Sequence, residues 1–418
     1  MTPEIEKRIK AVQAGRVPAG YKRTPIGVIP KEWNMTSLKD VANHVIEKNK
    51  NNAVHLTLTN SATKGVIKQE DYFDKQISNN ENTDGYYLVK DGDFIYNPRI
   101  SESAPCGPIN RSHIGEIGIA SPLYTVFRLK ENVQNVDYIE LYLKSPFWHR
   151  YMSGVANYGA RHDRMNITND DLFAMPLPIP PLSEQKKIAE ILATQDRVIE
   201  LKEKLIAEKQ SQKKYLMSVL LGDDFKKPFK LNGVIIDKKK WEKSTIGKIS
   251  DISTGNKDTQ NKKDNGKYPF YVRSPNPEKI DTYSYDGEAI LTAGDGVGVG
   301  KVIHYVTGKF DFHQRVYKIS DFDNHKAWGR FVYFYFLEHF YNRVKRMSAK
   351  NSVDSVRYNM ISEMPLNLPA LPEQKAIAEV LSAADEEISL LQKDLEQEKL
   401  KKKSLMQLLL TGLVRVNE

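Results

Sequence analysis

The sequence predicts an α+β protein in which two mixed, β-rich modules are joined by two long antiparallel coiled-coil helices with internal pseudo-twofold symmetry. Three observations predict this fold class. One segment occurs twice, each copy runs into a long stretch with helical spacing of apolar residues, and the regions between are rich in turn residues. Each half of the chain is therefore expected to place a globular module first and a helix second.

The repeated segment establishes the duplication. Residues 176–190, PLPIPPLSEQKKIAE, return as residues 365–379, PLNLPALPEQKAIAE. The copies lie about 190 residues apart, far beyond the period of a solenoid repeat, so each copy belongs to a whole domain. We predict five parts: an N-terminal arm (1–24), a first module (25–175), a first helix (176–222), a second module with its leading linker (223–364), and a second helix with the C-terminal tail (365–418).

The two helices are predicted from apolar residues that recur at alternating steps of four and three. This spacing gives each helix one apolar stripe that needs a partner, and the other copy is the nearest one. The alternative is an ordinary core helix within each module, but Leu182 to Leu221 would extend about 60 Å, which is too long for it. The predicted helix-pair core consists of Ile188, Leu192, Ile199, Ile206, Leu216, Leu220, Ile377, Leu381, Ile388, Leu391, Leu395, Leu405 and Leu409.

Composition limits the class of protein. Of 418 residues, 40% are apolar, and Lys and Arg exceed Asp and Glu to give a formal net charge of +9. A net positive charge is common in proteins that bind nucleic acid, although many other proteins have it too. Cys106 is the only cysteine, which excludes an internal disulfide and a cysteine-rich zinc site. No apolar run approaches the roughly 20 residues of a membrane span. The N-terminus is too polar for a signal peptide and a single cysteine suits a reducing compartment, so we expect a cytoplasmic protein.

Sequence motifs for catalysis are missing. The glycine cluster Gly294–Lys301 has five residues between Gly294 and Gly300 and no hydroxyl residue after Lys301, so it does not match a phosphate-binding P-loop. A turn close to DNA, or one that packs under a strand, explains it better. No Asn-Pro-Pro-Tyr or Asn-Pro-Pro-Phe tetrapeptide marks an adenine methyltransferase, and no nuclease metal motif is found. We therefore predict no catalytic residue, cofactor or metal on this chain.

Basic, amide and aromatic residues concentrate in loop-rich parts of both modules. Lys and Arg neutralise phosphate, while Arg pairs with guanine and Asn or Gln with adenine. Any single residue is more often a solvated surface group, but two clusters together favour double-stranded DNA as a partner. In the first module the candidates are Lys48, Asn49, Lys50, Arg99, Asn110, Arg111, Tyr158, Arg161, His162, Arg164 and Asn166. In the second module they are Lys257, Lys262, Lys263, Arg273, Lys301, Gln314, Arg315, Lys350, Asn351, Arg357 and Asn359.

Each cluster contains one short segment that is similar in the two modules. Arg164-Met165-Asn166-Ile167 in the first module resembles Arg357-Tyr358-Asn359-Met360 in the second. We expect the two segments to serve the same role in their modules.

The duplicated pattern Leu-x-Glu-Gln-x-x-Ile-Ala resembles the conserved regions of type I restriction-modification specificity subunits, as do residues 27–33 and 410–412. The resemblance spans nearly the whole chain and departs at Pro372, which stands where the first copy has Ser183. It implies two target recognition domains, each reading half of a bipartite DNA site, with the two helices as a ruler. Since the modules differ in sequence, the half-sites should differ too.

The resemblance also implies partners. The helices and their flanks would dock two modification (M) subunits, which bind S-adenosylmethionine and methylate adenine. Restriction (R) subunits would add translocation and cleavage driven by ATP with magnesium. Two other function classes stay open: a coiled-coil scaffold without DNA readout, and a methyltransferase or nuclease with its own active site.

Overall fold

The structure is a computed structural model in which the chain forms two compact units. The described residues are 2–72, 83–157, 163–222, 227–347 and 355–416. Unit 1 comprises Met1–Glu200 and Glu396–Glu418, and unit 2 comprises Leu201–Leu395. The first module thus falls in unit 1 and the second in unit 2.

The chain up to the first long helix is built from short helices and strands. In chain order these elements are α1 (Pro3–Gln13), β1 (Tyr21–Thr24), β2 (Gly27–Pro30), β3 (Asn34–Ser37), α2 (Leu38–Val41), β4 (Ala42–His44), β5 (Thr57–Ser61), β6 (Gly65–Lys68), β7 (Tyr87–Val89), β8 (Phe94–Tyr96), β9 (Ile109–Arg111), β10 (Gly118–Ala120), β11 (Thr125–Leu129), α3 (Val136–Leu143), α4 (His149–Val155), α5 (Asn169–Phe173), β12 (Pro176–Ile179) and α6 (Leu182–Leu221). The second half of α6 belongs to unit 2.

The rest of the chain follows the same plan. Its elements are β13 (Phe229–Leu231), β14 (Val234–Ile236), β15 (Glu242–Thr245), β16 (Asp251–Thr254), β17 (Tyr268–Tyr271), β18 (Glu278–Ile280), β19 (Tyr285–Asp286), β20 (Ala289–Ala293), β21 (Ile303–Val306), β22 (Lys309–Phe312), β23 (Val316–Ser320), α7 (Gly329–Met347), α8 (Tyr358–Ser362), β24 (Pro365–Leu368) and α9 (Leu371–Leu410). The last part of α9 belongs to unit 1.

Each module contains two four-stranded sheets, and the strand order is the same in both modules. The first sheet has the order β4-β11-β8-β9 in unit 1 and β16-β23-β20-β21 in unit 2. The second sheet has the orders β6-β5-β10-β7 and β18-β17-β22-β19. Its inner pair is parallel in both cases, β5 with β10 and β17 with β22. The duplication therefore extends to the topology of modules whose sequences echo each other only faintly.

A short antiparallel ribbon connects each module to its long helix. In unit 1, β3 pairs with β12 from Asn34 opposite Ile179 to Ser37 opposite Pro176. In unit 2, β15 pairs with β24 in the same way. Proline is tolerated in a two-stranded ribbon because one edge of each strand needs no donor. The strand before each long helix is thus paired to a strand near the start of the same module.

The hydrophobic core of each unit includes the start of one long helix and the end of the other. In unit 1, Ile188 and Leu192 of α6 join Leu409 of α9 in a core that contains the fully buried Trp33. In unit 2, Ile377 of α9 and the end of α6 pack with the buried aromatic residues of α7. Each long helix therefore contributes to the cores of both units.

Polar contacts also join the helices inside each unit. In unit 2, Lys202 pairs with Asp394, Lys209 with Glu387 at 2.6 Å, and Lys213 with Asp385. In unit 1, the side-chain amide of Gln195 donates to Glu398, and Lys402 pairs with Asp196. Within unit 2, later residues of α6 therefore pair with earlier residues of α9.

The predicted helix-pair residues are buried or half-buried in their own units. The half-buried ones are Ile199, Leu216, Leu391 and Leu405. Gln195 also lies on the stripe and is buried, which the sequence pattern did not predict for a polar side chain. Its bond to Glu398 explains this, because a buried amide is stable only when it is hydrogen-bonded.

Candidate nucleic-acid interface

The glycine cluster of the second module forms a tight loop between β20 and β21. A Cβ on Gly294 would lie 2.8 Å from the carbonyl oxygen of Arg315, and a Cβ on Gly298 would lie 2.7 Å from the carbonyl oxygen of Arg273. Both distances are shorter than real Cβ contacts, so the loop needs glycine to approach these two chain segments. Gly296 has a φ of +77°, the left-handed region that glycine adopts at least cost.

This close approach places Asp295 between two arginines. Its carboxylate accepts a hydrogen bond from Nη1 of Arg273 at 2.7 Å and another from Nη1 of Arg315. Burial raises the pKa of Asp295, but the hydrogen bonds and charges of Arg315 and Arg273 outweigh it and leave the pKa below its usual value. Asp295 is therefore a carboxylate at neutral pH that orients two partly exposed guanidinium groups.

A second set of contacts extends the cluster. The buried His313 accepts a hydrogen bond at Nδ1 from the backbone N–H of Arg315 at 2.9 Å. Burial, and then the nearby charge of Arg273, lower the pKa of His313, so its imidazole is neutral at pH 7. The side-chain amide of Gln314 donates to Asp258 at 3.0 Å, and its backbone N–H donates to the carbonyl of Lys257. The structure thus brings together four predicted residues: Lys257, Arg273, Gln314 and Arg315.

Other predicted residues of the second module have separate partners. Lys262 pairs with Glu278 at 3.4 Å and Lys263 with Asp281 at 3.0 Å. The Lys301 ammonium lies 5.7 Å from the ring centre of Tyr341. Arg357 and Asn359 are exposed at the start of α8, where Arg357 is the N-cap residue.

The first module has a loop in the corresponding position, between β8 and β9. Arg99 on this loop forms a backbone bridge with Arg164, and Asp295 forms the equivalent bridge with Ser355. The backbone N–H of Met165 donates to Pro98, as that of Val356 donates to Gly294. The structure therefore aligns Arg164 with Ser355, and the predicted alignment of Arg164 with Arg357 is shifted. Asn166 of the same segment is exposed.

A carboxylate also collects basic groups in the first module. The nearly buried Glu140 of α3 contacts Arg111 at 3.5 Å, His113 at 3.2 Å and Lys144 at 2.6 Å. Arg111 also pairs with Asp137 at 3.1 Å. Burial raises the pKa of Glu140, but the hydrogen bonds from Lys144 and His113 outweigh it and lower the pKa overall.

The remaining first-module residues divide into three groups. Asn49 and Asn110 are buried, and their side-chain amides bond to Val54 and Asn60, which leaves them poorly placed to meet a base. The Lys48 ammonium lies 3.1 Å from the ring centre of Tyr87, and Lys50 is exposed. Outside the described ranges lie Tyr158, Arg161 and His162 of this module, and also Lys350 and Asn351 of the second module.

Sequence reasoning overlooked the residues that organise these clusters: Asp258, Asp295, His313 and Glu140. It searched for basic and amide side chains, whereas the groups that fix their direction are three carboxylates and one imidazole. The placement of Asp295 between Gly294 and Gly296 was the available signal.

Within the described ranges, no group of three or more His, Cys, Asp or Glu side chains could hold a metal ion. Among the same residues, no helix has the length and apolar character that crossing a membrane requires.

The fold and the paired clusters define a duplicated protein with two modules of one topology. The profile of the type I restriction modification DNA specificity domain matches residues 30–209 and again residues 238–400. Because the two matches together cover most of the sequence, the chain belongs to this family of DNA specificity proteins.

Individual relatives agree with this assignment. The chain is 27% identical over 433 residues to a Methanocaldococcus jannaschii protein named as the MjaX specificity subunit of a type I restriction enzyme, with 95% of this chain and 97% of the relative covered. The crystal structure of a type I restriction-modification S subunit from M. genitalium has a TM-score of 0.55 at 14% identity and covers 90% of this chain and 96% of its own. A second solved structure, from work on the structural basis of complex assembly and conformational transition of the type I R-M system, has a TM-score of 0.58 at 15% identity. The match covers 92% of this chain and 99% of the other. At these identities the two structures support the fold alone.

Proposed function

We propose that this chain is the sequence-specificity subunit of a type I restriction-modification complex and that it reads an asymmetric, bipartite DNA target. One observation carries the proposal. The two modules share a strand order, yet the corresponding loops between β8 and β9 and between β20 and β21 carry different polar groups. A shared frame with unlike side chains suits two readers that face different half-sites.

The chemistry of the second module fits base reading. Arg273 and Arg315 are held by Asp295, so their side chains are oriented before DNA arrives. A guanidinium can donate two hydrogen bonds to O6 and N7 of guanine, the commonest specific contact in the major groove. Lys257 and Gln314 adjoin the same cluster, where a lysine suits phosphate and a glutamine suits adenine.

In the first module, Arg99 lies on the equivalent loop and forms a backbone bridge with Arg164. We assign reading of the first half-site to this loop and reading of the second half-site to the Asp295 cluster. The proposal keeps the five domains that the sequence predicts, with the two readers at 25–175 and 223–364.

The long helices would set the distance between half-sites. α6 and α9 each contain 40 residues, which corresponds to about 60 Å of helix. The contacts of Lys202, Lys209 and Lys213 within unit 2 support antiparallel pairing, because their partners run backward along α9. An antiparallel coiled coil would relate the two modules by a pseudo-twofold axis and let each read one side of an unread spacer.

The remaining activities would come from partner subunits. Two M subunits with S-adenosylmethionine would methylate adenine, and R subunits with ATP and magnesium would translocate and cleave. The chain itself would supply DNA readout and docking surfaces in the cytoplasm and would have no catalytic step.

The proposal is tested by assembling the chain with its M subunits and mapping methylated adenines across genomic DNA. We expect two different half-sites separated by a fixed number of unread bases, and no methylation by the chain alone with the methyl donor. Methylation by the isolated chain would indicate an active site of its own. Failure of the assembled complex to retain DNA would favour a protein scaffold.

The spacer is tested separately by inserting four residues into both helices, beside the paired residues Lys202 and Asp394. The insertion adds about 6 Å of helix and should lengthen the preferred gap by one or two base pairs. An unchanged gap would exclude the ruler without affecting the assignment of the readers.

A further inference from the structure

Val297 at the tip of the glycine loop is the apolar side chain that stands out from the surface of the second module. It is 97% exposed, whereas Val299, two residues later, is 3% exposed and belongs to the core. Scattered exposed apolar residues are ordinary. The loop that holds Val297 outward is unusual, because three glycines and a buried valine fix it.

The loop is pinned on both sides of Val297. Gly294 and Gly298 lie against the carbonyl groups of Arg315 and Arg273, where no side chain would fit. The backbone N–H of Val299 donates to the carbonyl of Gly296 at 3.1 Å, and that of Val302 donates to Gly298 at 2.8 Å. Val299 then anchors the turn in the core, so Val297 is presented by a defined backbone.

The surroundings of Val297 are charged. Nη1 of Arg273 lies 4.0 Å from the position that a Cβ on Gly296, the residue before Val297, would occupy. Arg273 and Arg315 both bind Asp295, two residues before Val297. An apolar protein surface that covered Val297 would have to bury these ion pairs, which costs more than one valine contributes.

DNA offers a partner that suits both features. In the major groove the arginines can reach guanine or phosphate, and the one apolar group that a base presents there is the 5-methyl of thymine. An isopropyl group on a fixed loop whose Asp295 holds two arginines matches a thymine next to polar contacts. A phosphate, a sugar hydroxyl or a cytosine amino group offers Val297 no apolar contact.

We propose that Val297 reads a thymine in the second half-site through its 5-methyl group. This inference rests on the proposed function and adds to it a specificity-determining residue that donates no hydrogen bond.

The test uses the complex of the full chain with its M subunits and a duplex that carries the mapped target. Each thymine of the second half-site, on both strands, is replaced in turn by deoxyuridine, which lacks only the methyl group. We expect the dissociation constant to rise about fourfold at one position, the value of one buried methyl group. Val297→Ala should weaken binding to the thymine duplex by a similar factor and bind the thymine and uracil duplexes equally.

The matched control is Ile235→Ala, which removes another exposed apolar side chain, 66% exposed, from β14 in the same unit. It should keep the thymine preference. Circular dichroism of both variants checks folding, and Val297→Ile, which keeps the apolar contact, should retain the preference even if the alanine variant were unstable.

Three results would overturn the inference: equal affinity for every uracil duplex, a second half-site without thymine, or an undiminished thymine preference in Val297→Ala. If Val297→Ala weakens assembly with M subunits and the complex that still forms keeps its thymine preference, the third result applies and the residue docks protein. Each of these results leaves bipartite recognition intact. Loss of the proposed function itself would appear earlier, as absence of any sequence-specific target for the wild-type complex.

Discussion

The two modules share a frame and differ in the loop they present between the same two strands. Residues 97–108 of the first module contain prolines, while residues 294–302 of the second are rich in glycine. Both loops accept a backbone hydrogen bond at the same place, at Pro98 and at Gly294. Duplication has kept the backbone position and changed the side chains.

The acidic residues that organise basic side chains also differ. Asp295 lies on the loop itself and holds two arginines, whereas Glu140 lies on a helix and holds an arginine, a histidine and a lysine. A carboxylate on the loop directs guanidinium groups toward whatever the loop faces. A carboxylate on a helix ties the edge strand β9 to α3, which is a structural role. The predictions below test this difference and the shared frame.

The largest effect should come from the tryptophan near the start of each module. Trp33 is fully buried and donates to Glu184 at 2.9 Å, while Trp241 is half-buried and donates to Glu373 at 3.4 Å. Trp33→Ala should destabilise unit 1 by about 3–5 kcal/mol, because it leaves a large cavity. Trp241→Ala should cost unit 2 roughly half of that. Hydrogen exchange during urea unfolding resolves the two units, and equal losses would contradict the comparison.

Asp295→Asn should reduce the specificity of the second module. Without the charge the two arginines lose their common anchor, and we expect the preference for the correct second half-site to fall about fivefold, the lower end for one paired base contact. Affinity for unrelated DNA at low salt should rise slightly, because a negative charge has been removed. Competition binding with a scrambled second half-site measures both. Asp281→Asn, which affects the pair with Lys263, serves as the control and should leave the preference unchanged.

A smaller difference is expected between the two repeated glutamates. Glu184 accepts hydrogen bonds from Trp33 and, at 2.8 and 3.0 Å, from the charged guanidinium of Arg415. Glu373 accepts from neutral donors, namely the backbone N–H groups of Asp237 and Ala370 and the indole N–H of Trp241. Glu184→Gln should cost unit 1 about 2 kcal/mol and Glu373→Gln should cost unit 2 about 1 kcal/mol, because bonds to a charged partner are stronger. If Arg415→Met removes the difference, the C-terminal arginine is its cause; a larger loss for Glu373→Gln would refute this account.

How much the sequence could predict depends on whether the signal was local. The start of α6 near Leu182 and the burial of Ile188 and Leu192 follow from spacing along a single helix. The Asp295 cluster joins Arg273 to Arg315 through strand pairings that no local pattern encodes.

Amide residues were the weakest part of the site prediction. Asn49 and Asn110 carry the amide group that can read adenine, but they are buried and their amides form internal hydrogen bonds. Sequence alone cannot separate an amide that caps a loop from one that faces solvent, because both favour the same turn-rich segments. The contacts of individual residues with DNA stay predictions.

The smallest expected effect is the response of the two organising carboxylates to acid. Hydrogen bonds from basic groups lower the pKa of both Glu140 and Asp295, against the opposing effect of burial. A lowered pKa in the folded state means that each carboxylate stabilises its module at neutral pH, and that this stability is lost as the pH falls below about 4. Glu140 is nearly buried, so its contribution should be the larger of the two, yet below about 2 kcal/mol. Comparing Glu140→Gln and Asp295→Asn with the wild type between pH 3 and pH 7 should show a flatter stability profile for unit 1 in the first variant and for unit 2 in the second. A flatter profile for both units in either variant would mean that the carboxylates do not act on their own modules.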